Sequence, residues 1–332
     1  MPPPDPADPP ALALSSLRKS FGELVAVADV SLAVRRGETL GLLGPNGAGK
    51  STAMMIACGV LPADAGTVRI EGEPLTPGNR RLRGRLGVVP QDLAVYPELT
   101  ARQNLRFFGK LYGLRGADLD RRVADALDRT GLTNRADDRA EHYSGGMKRR
   151  LNFGCAILHE PAVLILDEPT VGVDPQSRAH LLRCVTDAAA GGAAVVYCSH
   201  YMEEVEEVCD RVAVVDRGRV LAEGTIPELL APLESTLRLH VTPPPHLRDP
   251  AALLPADRAG LFRCRRENGG DDGPIVYELD RSRLTGADTL SAVLAATLAH
   301  LRDAGGRLDA VHTDEPNLER LFLQLTGNTL RD

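Results

Sequence analysis

A glycine-rich segment that contains a lysine carries the first chemical signal in the sequence. It spans positions 44–52 and fits the phosphate-loop pattern G-x-x-x-x-G-K-[ST]. Glycines let such a loop curl so that several backbone N–H groups point at phosphate oxygens. The lysine can reach the β- and γ-phosphates of a nucleotide, and the hydroxyl after it can ligate Mg²⁺. The residues predicted to bind nucleotide are Gly44, Pro45, Asn46, Gly47, Ala48, Gly49, Lys50, Ser51 and Thr52.

Two adjacent acids follow an apolar run further along the chain. The run Val163 to Leu166 is followed by Asp167 and Glu168, and the carboxyl ends of buried parallel strands face the ligand crevice of such a sheet. Asp167 can hold Mg²⁺ there through water, and Glu168 can orient and deprotonate an attacking water. Acidic turns after strands are common, so the phosphate loop is what favours a functional interpretation. A base beside the metal favours a hydrolase over a kinase.

Ser144, Gly145 and Gly146 form a second candidate phosphate-binding segment. The serine can cap the helix that follows, and the glycines leave the first N–H groups of that helix accessible. A lone Ser-Gly-Gly before a helix is usually only a capped turn, so this segment predicts little by itself.

The hydrophobic pattern predicts the elements that must position these residues. Strands are expected at 12–17, 24–34, 39–43, 86–89, 162–166, 193–198 and 211–215. Helical patterns cover 53–60, much of 101–138, and 145–158. Buried strands that alternate with helices predict an α/β sheet with both faces covered.

The motifs together occur in the order and approximate spacing of the ATP-binding-cassette (ABC) ATPases, a family of P-loop NTPases. The chain resembles this family over roughly residues 11–230. Ser144 to Met147 resembles the family's signature motif, with Tyr143 where leucine is more usual. Gln91 is similar to the Q-loop glutamine, and 171–174 resembles the D-loop, with a valine in place of the commoner leucine.

The resemblance implies that ATP and Mg²⁺ are bound between two copies of the chain. In this family two nucleotide-binding domains close head to tail around two ATP molecules, so each site takes its signature motif from the neighbouring subunit. Phe21 lies where the family has an aromatic side chain that stacks on adenine. Ser144, Gly145 and Gly146 would complete the neighbour's nucleotide site, and Asp174 would lie at the dimer seam.

The catalytic roles implied by the resemblance fall on three residues. Glu168 would be the general base, and His200 would contact the γ-phosphate and hold Glu168 in place. Gln91 would approach the metal and the attacking water, so the implied Mg²⁺ ligands are Ser51, Gln91 and Asp167. A lone histidine after a strand is usually structural, but the place of His200 after the carboxylate strand favours a functional role.

The chain is expected to contain further parts besides the cassette core. Proline-rich residues 1–10 predict a disordered tail. The ABC domain would cover 11–230, with a helical subdomain at about 92–158, and 235–326 would form a small α+β accessory domain. The accessory strands are predicted at 236–241, 261–265, 275–279 and 308–312, and its helices at 250–254, 287–304 and 317–325. This order, β-α-β-β-α-β-α, suits a ferredoxin-like fold.

The helical subdomain of this family docks the cytoplasmic coupling helix of a membrane subunit. Phe107, Phe108 and Tyr112 fall on helical spacing; most of that stripe is expected to be core, with a docking groove near Tyr96 to Leu99. The residues of the motifs and the segment 314–319 near the C-terminus resemble those of the exporter branch served by ABC-2 type membrane subunits. That branch includes drug-resistance and antibiotic self-resistance pumps.

Net charge and hydropathy limit the kinds of partner that the chain is expected to have. The net charge is −6, which argues against a nucleic-acid partner. No run approaches the ~18 apolar residues of a membrane span. The expected partner is therefore a separate permease, and the expected location is the cytoplasmic face of the membrane. One alternative is a soluble ABC ATPase that acts on the ribosome or another macromolecule, and another is a regulatory module with little ATPase activity.

Overall fold

The structure is a computed structural model that describes residues 9–233, 235–244, 247, 249–266, 274–281, 284 and 289–327. The predicted disordered tail falls mostly on residues 1–8, which lie outside these ranges. One compact unit extends to Leu229 and includes the chain from Phe322 onward, and the second is Leu230–Leu321. Over the described ranges, no helix combines the length and apolar character needed to cross a bilayer.

The described strands of the first unit form one sheet of ten. They are β1 (Leu12–Phe21), β2 (Leu24–Val34), β3 (Thr39–Leu43), β4 (Ala65–Ile70), β5 (Glu73–Pro74), β6 (Leu86–Val89), β7 (Val163–Asp167), β8 (Ala194–Cys198), β9 (Arg211–Asp216) and β10 (Arg219–Thr225). Their order is β5-β4-β1-β2-β10-β9-β3-β8-β7-β6. Strands β9, β3, β8, β7 and β6 pair in parallel, whereas β2, β1, β4 and β5 pair antiparallel.

The described part of the first unit also contains eight helices, and several of them pack against the parallel strands. They are α1 (Lys50–Ala57), α2 (Arg80–Arg83), α3 (Ala101–Leu111), α4 (Gly116–Arg129), α5 (Gly145–Ile157), α6 (Pro175–Ala190), α7 (Met202–Val208) and α8 (Ile226–Leu230). Every residue of β3 and β8 is buried, as expected where helices cover both faces of a parallel sheet. The structure thus confirms the predicted α/β class.

Helices α3, α4 and α5 form the helical subdomain around their own apolar cluster, in which Leu105 is fully buried. The expectation that the aromatic stripe is mostly core is wrong. Phe107 is 39% exposed because it lies two residues, about 200°, around the helix from Leu105. Tyr112 follows the end of α3 and stacks on His159 with ring centroids 3.5 Å apart, while 38% of its surface stays exposed.

The second unit contains a four-stranded antiparallel sheet over its described residues. Its elements are β11 (Thr236–Thr242), β12 (Phe262–Arg266), β13 (Ile275–Asp280), α9 (Leu290–Asp303) and β14 (Arg307–Asp314), and the last described helix is α10 (Leu318–Thr326). The order is β12-β13-β11-β14. Because β13 is antiparallel to both β11 and β12, these two strands are parallel and β13 lies between them. This is the split βαβ arrangement of a ferredoxin-like fold.

The first crossover of this unit differs from its prediction. The segment expected to be a helix at 250–254 is a 3₁₀ turn, Pro250–Leu253, although Asp249 caps it by accepting a hydrogen bond from the Ala251 N–H at 2.9 Å. Pro255 follows Leu254, and a residue before proline is driven out of helical conformation. The turn therefore ends after four residues. The helix expected at 287–304 is observed from Leu290; residues 287 and 288 lie outside the described ranges.

Candidate functional site

The phosphate loop connects the buried end of β3 to the start of α1 and is shaped by its glycines. Gly47 and Gly49 have φ angles of 82° and 97°, in the left-handed region that favours glycine. A Cβ on Gly49 would lie 2.2 Å from the carbonyl oxygen of Ala26, and one on Gly44 would lie 2.3 Å from that of Val215. Close backbone packing therefore fixes the loop in one curled conformation.

Lys50 lies at the centre of this loop. Its Nζ donates hydrogen bonds to the carbonyl oxygens of Gly44 at 2.6 Å and Pro45 at 3.1 Å, and only 7% of the residue is exposed. Burial lowers the pKa of Lys50. An ammonium group has three donors, so one remains for a phosphate oxygen after these two bonds.

Glu168 is held between the glutamine and the histidine that the sequence predicted to act with it. Gln91 Nε2 donates to Glu168 Oε2 at 2.8 Å, and His200 Nδ1 lies 3.2 Å from Glu168 Oε1. Each carboxylate oxygen thus has one partner. The backbone of Glu168 has φ 47°, and its N–H donates to the carbonyl oxygen of Cys198 at 2.9 Å. This geometry suits a general base whose orientation is set from two sides.

Asp167 lies next to the phosphate loop, where it accepts a hydrogen bond from the Ser51 hydroxyl. Burial raises the pKa of Asp167 above its ordinary value, and the neighbouring Glu168 adds to the rise. A hydroxyl, a carboxylate and the amide of Gln91 are the hard oxygen ligands that Mg²⁺ prefers. These three side chains fit a magnesium ion bound together with a nucleotide phosphate.

The residues brought together by the structure line a cleft of about 490 Å³. The predicted residues in its lining are Phe21, Asn46, Gly47, Ala48, Gly49, Lys50, Ser51, Thr52, Gln91, Glu168 and His200. At the end where Phe21 lies, sequence reasoning missed Leu24, Val25 and Ala26, which also line the cleft. The available signal was the turn after Phe21, which brings the start of β2 beside the end of β1.

Seven predicted residues do not line this cleft. Gly44 and Pro45 belong to the phosphate loop, and Asp167 accepts a hydrogen bond from Ser51 of that loop. The other four, at two helix starts, are Ser144, Gly145, Gly146 and Asp174. Ser144 caps α5 by accepting from the Met147 N–H at 3.2 Å. Asp174 caps α6 by accepting from the Ser177 N–H at 2.9 Å, which lowers the pKa of Asp174. The two helix starts touch, because a Cβ on Gly146 would lie 2.2 Å from Ser177 Oγ. Within one chain, these residues form a second, separate surface.

Comparison with known proteins agrees with this geometry. The ABC transporter family profile matches residues 27–171. The chain is 40% identical to the linearmycin resistance ATP-binding protein of Bacillus subtilis (strain 168), over 97% of this chain and 100% of that protein. It is 36% identical to Nod factor export ATP-binding protein I of Paraburkholderia xenovorans (strain LB400), over 97% of this chain and 99% of that protein.

A solved structure described as the ATP-binding subunit of an ABC transporter has the same fold, with a TM-score of 0.62 and 32% sequence identity. The match covers 67% of this chain and 92% of that chain. Fold, phosphate loop and full-length sequence similarity lead to the same result. The chain therefore belongs to the ABC transporter family, as an ATP-binding subunit that hydrolyses ATP.

Proposed function

We propose that this chain is the motor of an exporter: two copies close head to tail around two Mg-ATP and drive a separate membrane subunit of ABC-2 type. The observation that carries the hydrolytic part is the Glu168 carboxylate, held 2.8 Å from Gln91 Nε2 and 3.2 Å from His200 Nδ1 at the edge of the phosphate-loop cleft.

The proposed reaction is in-line attack by water on the γ-phosphorus of ATP. Glu168 takes a proton from the water, a bond forms between the water oxygen and phosphorus, and the bond from phosphorus to the bridging oxygen of ADP breaks. Lys50 and the loop N–H groups offset charge on the phosphate oxygens, and His200 holds Glu168 in place. Bound Mg²⁺, on Ser51, Gln91 and Asp167, would supply further neutralisation of phosphate charge.

The separation of the site residues into two surfaces supports a head-to-tail dimer. The cleft contains the phosphate loop and the base but not Ser144 or Gly146. The N-terminal end of α5 carries a partial positive charge, which favours an anion. A second copy that placed this helix end over the cleft would complete the phosphate site.

A patch of exposed aromatic and aliphatic side chains on the helical subdomain supports a membrane partner. Tyr96 and Phe107 pack edge to face with ring centroids 5.0 Å apart, yet remain 45% and 39% exposed, and Leu111 is 67% exposed. Together Tyr96, Phe107 and Leu111 form an exposed apolar patch. Exposed apolar patches of this kind mark interaction sites. We propose that the permease docks here and places the chain on the cytoplasmic face of the membrane.

The names of two relatives support export and guide the choice of a cargo class. One relative is named for linearmycin resistance and another for Nod factor export. We propose that the complete transporter exports an antibiotic or drug-like molecule. The substrate would be bound by the membrane subunit.

The proposed function is tested by purifying the tagged chain from detergent-solubilised membranes of its native host. The expected result is one multi-span membrane protein that copurifies at a one-to-one ratio. A matched variant, Phe107→Ser with Leu111→Ser, should keep ATPase activity and lose that protein. Recovery with ribosomal components, or without any membrane protein, would instead favour a soluble ABC ATPase that acts on another macromolecule.

A further inference from the structure

We propose that Glu204 is a positioning residue that locks the loop carrying the base to the loop carrying the histidine. The proposal rests on the catalytic roles of Glu168 and His200 in the proposed function, and it assigns the device that maintains the contact between them. Glu204 lies on α7 and does not line the cleft.

The Glu204 carboxylate is fully buried and is the centre of a network of four donors. Thr170 Oγ1 lies 2.7 Å and 2.8 Å from its two oxygens, and Tyr197 OH and Ser199 Oγ donate to Oε2 at 2.7 Å and 2.9 Å. Arg178 Nε forms an ion pair with Oε1 at 2.7 Å. A buried carboxylate is costly without such partners, so the network constrains every element that contributes to it.

Two of these donors belong to the catalytic loops. Thr170 is two residues after Glu168, and Ser199 immediately precedes His200. Strand pairing between β7 and β8 ends at Asp167 and Cys198. Glu168 is one residue beyond Asp167, and His200 is two residues beyond Cys198. Beyond that point the two loops are joined through side chains by the contact of His200 with Glu168 and by the Glu204 network, which binds Thr170 of one loop and Ser199 of the other.

A third donor, Arg178, connects Glu204 to the surface that we assign to the dimer seam. Arg178 lies in the first turn of α6, four residues after the Asp174 cap. Its guanidinium also lies over the ring of Tyr201, 5.2 Å from the centroid, and Tyr201 packs on His200 with ring centroids 4.1 Å apart. Displacement of α6 at the seam would therefore reach His200 through Glu204 and Tyr201.

The test removes single donors and separates turnover from binding. Thr170→Val and Ser199→Ala should each lower kcat, because a misplacement of about 1 Å can cost about 100-fold. The KM for ATP and the Kd for ATP of the resting protein should stay at wild-type values, since Lys50 and the phosphate loop are unchanged. Thr170→Ser, which keeps the hydroxyl, should have the kcat of the wild type.

Tyr197→Phe is the matched control. It removes a donor to the same Glu204 oxygen, but Tyr197 lies within β8 and in neither catalytic loop. This variant should keep wild-type kcat, whatever its melting temperature. If Thr170→Val and Ser199→Ala also keep wild-type kcat, or if all three variants lose kcat in proportion to melting temperature, Glu204 has only a structural role.

A reference pair separates this inference from the proposed function. Wild-type protein and Glu168→Gln are assayed alongside: if the wild type does not hydrolyse ATP, or Glu168→Gln turns over normally, the proposed function fails. If hydrolysis depends on Glu168 but not on the Thr170 and Ser199 hydroxyls, only the positioning role of Glu204 is wrong.

Discussion

At the scale of single residues, Glu168 combines backbone strain with a fixed side chain. A non-glycine residue at φ 47° costs on the order of 1 kcal/mol or more. The hydrogen bond from the Glu168 N–H to the carbonyl oxygen of Cys198 holds this conformation. The strain directs the carboxylate at Gln91 and His200 instead of along the strand.

The Glu168→Gln variant tests the base directly. The amide keeps the shape of the side chain but cannot accept the proton, so kcat should fall by about 10²–10⁴-fold. Binding of ATP should persist, and the variant should accumulate as a closed dimer with ATP, measurable by light scattering. Turnover at the wild-type rate would show that another group is the base.

Asp167 gives a prediction about pH and stability. Burial raises its pKa in the folded protein above the ordinary value of 3.8, so the folded state disfavours the carboxylate. This penalty is present at pH values above the raised pKa and disappears as the pH falls below 3.8. Asp167→Asn should therefore raise the melting temperature of the nucleotide-free protein at neutral pH and abolish Mg²⁺-dependent hydrolysis.

The expected stabilisation is on the order of 1 kcal/mol, as is common when a strained site group is replaced. The measurement is thermal unfolding of both proteins between pH 7 and pH 4 without nucleotide. The difference in melting temperature should shrink on acidification. A difference that is independent of pH would mean that ionisation of Asp167 does not cause it.

At the scale of elements, α5 connects the signature segment to the glutamine of the cleft. The guanidinium of Arg149 donates to the carbonyl oxygen of Gln91, and Asn152 Oδ1 accepts from the Ala94 N–H at 3.3 Å. The helix begins directly after Ser144. A shift of α5 on dimer closure would therefore move the backbone that carries Gln91.

Arg149→Ala tests this connection. A hydrogen bond from a charged donor is worth about 1.5–3 kcal/mol, and a loss of 1.36 kcal/mol from transition-state stabilisation is about tenfold in rate. We expect kcat to fall by about tenfold while the Kd for ATP stays constant. Lys148→Ala removes a positive charge from the neighbouring position and should leave kcat unchanged; equal losses in both variants would indicate a general charge effect.

At the scale of the whole molecule, head-to-tail pairing can be tested by complementation. Lys50→Ala should inactivate the nucleotide site in the cleft of its own subunit. Ser144→Arg should inactivate the nucleotide site in the cleft of the neighbouring subunit. In a mixed dimer both defects fall in the same site and the second site is intact. An equal mixture should therefore recover ATPase activity that neither variant shows alone. No recovery, with mixed dimers demonstrated by two tags, would exclude shared sites.

Local sequence was sufficient to predict those parts of the site whose residues lie within about ten positions of one another. The phosphate loop, Asp167 with Glu168, and the cap of α5 by Ser144 depend on glycine conformation, on the end of a strand and on a helix start, all of which are local. The family resemblance supplied Gln91 and His200, and the structure places both on Glu168. Pattern alone could not tell which face of α3 is exposed at Phe107, because that depends on what packs against it.

The sequence by itself determined the ABC fold and the phosphate loop, and it predicted Glu168 as the base. Only the tertiary structure decided which distant residues support them. Gln91 meets Glu168 across 77 positions, Arg149 meets Gln91 across 58, and Thr170 meets Glu204 across 34. No local periodicity encodes such contacts. They arise when the sheet aligns the ends of β7 and β8 and the helices α5 and α7 bury polar groups that must then find partners.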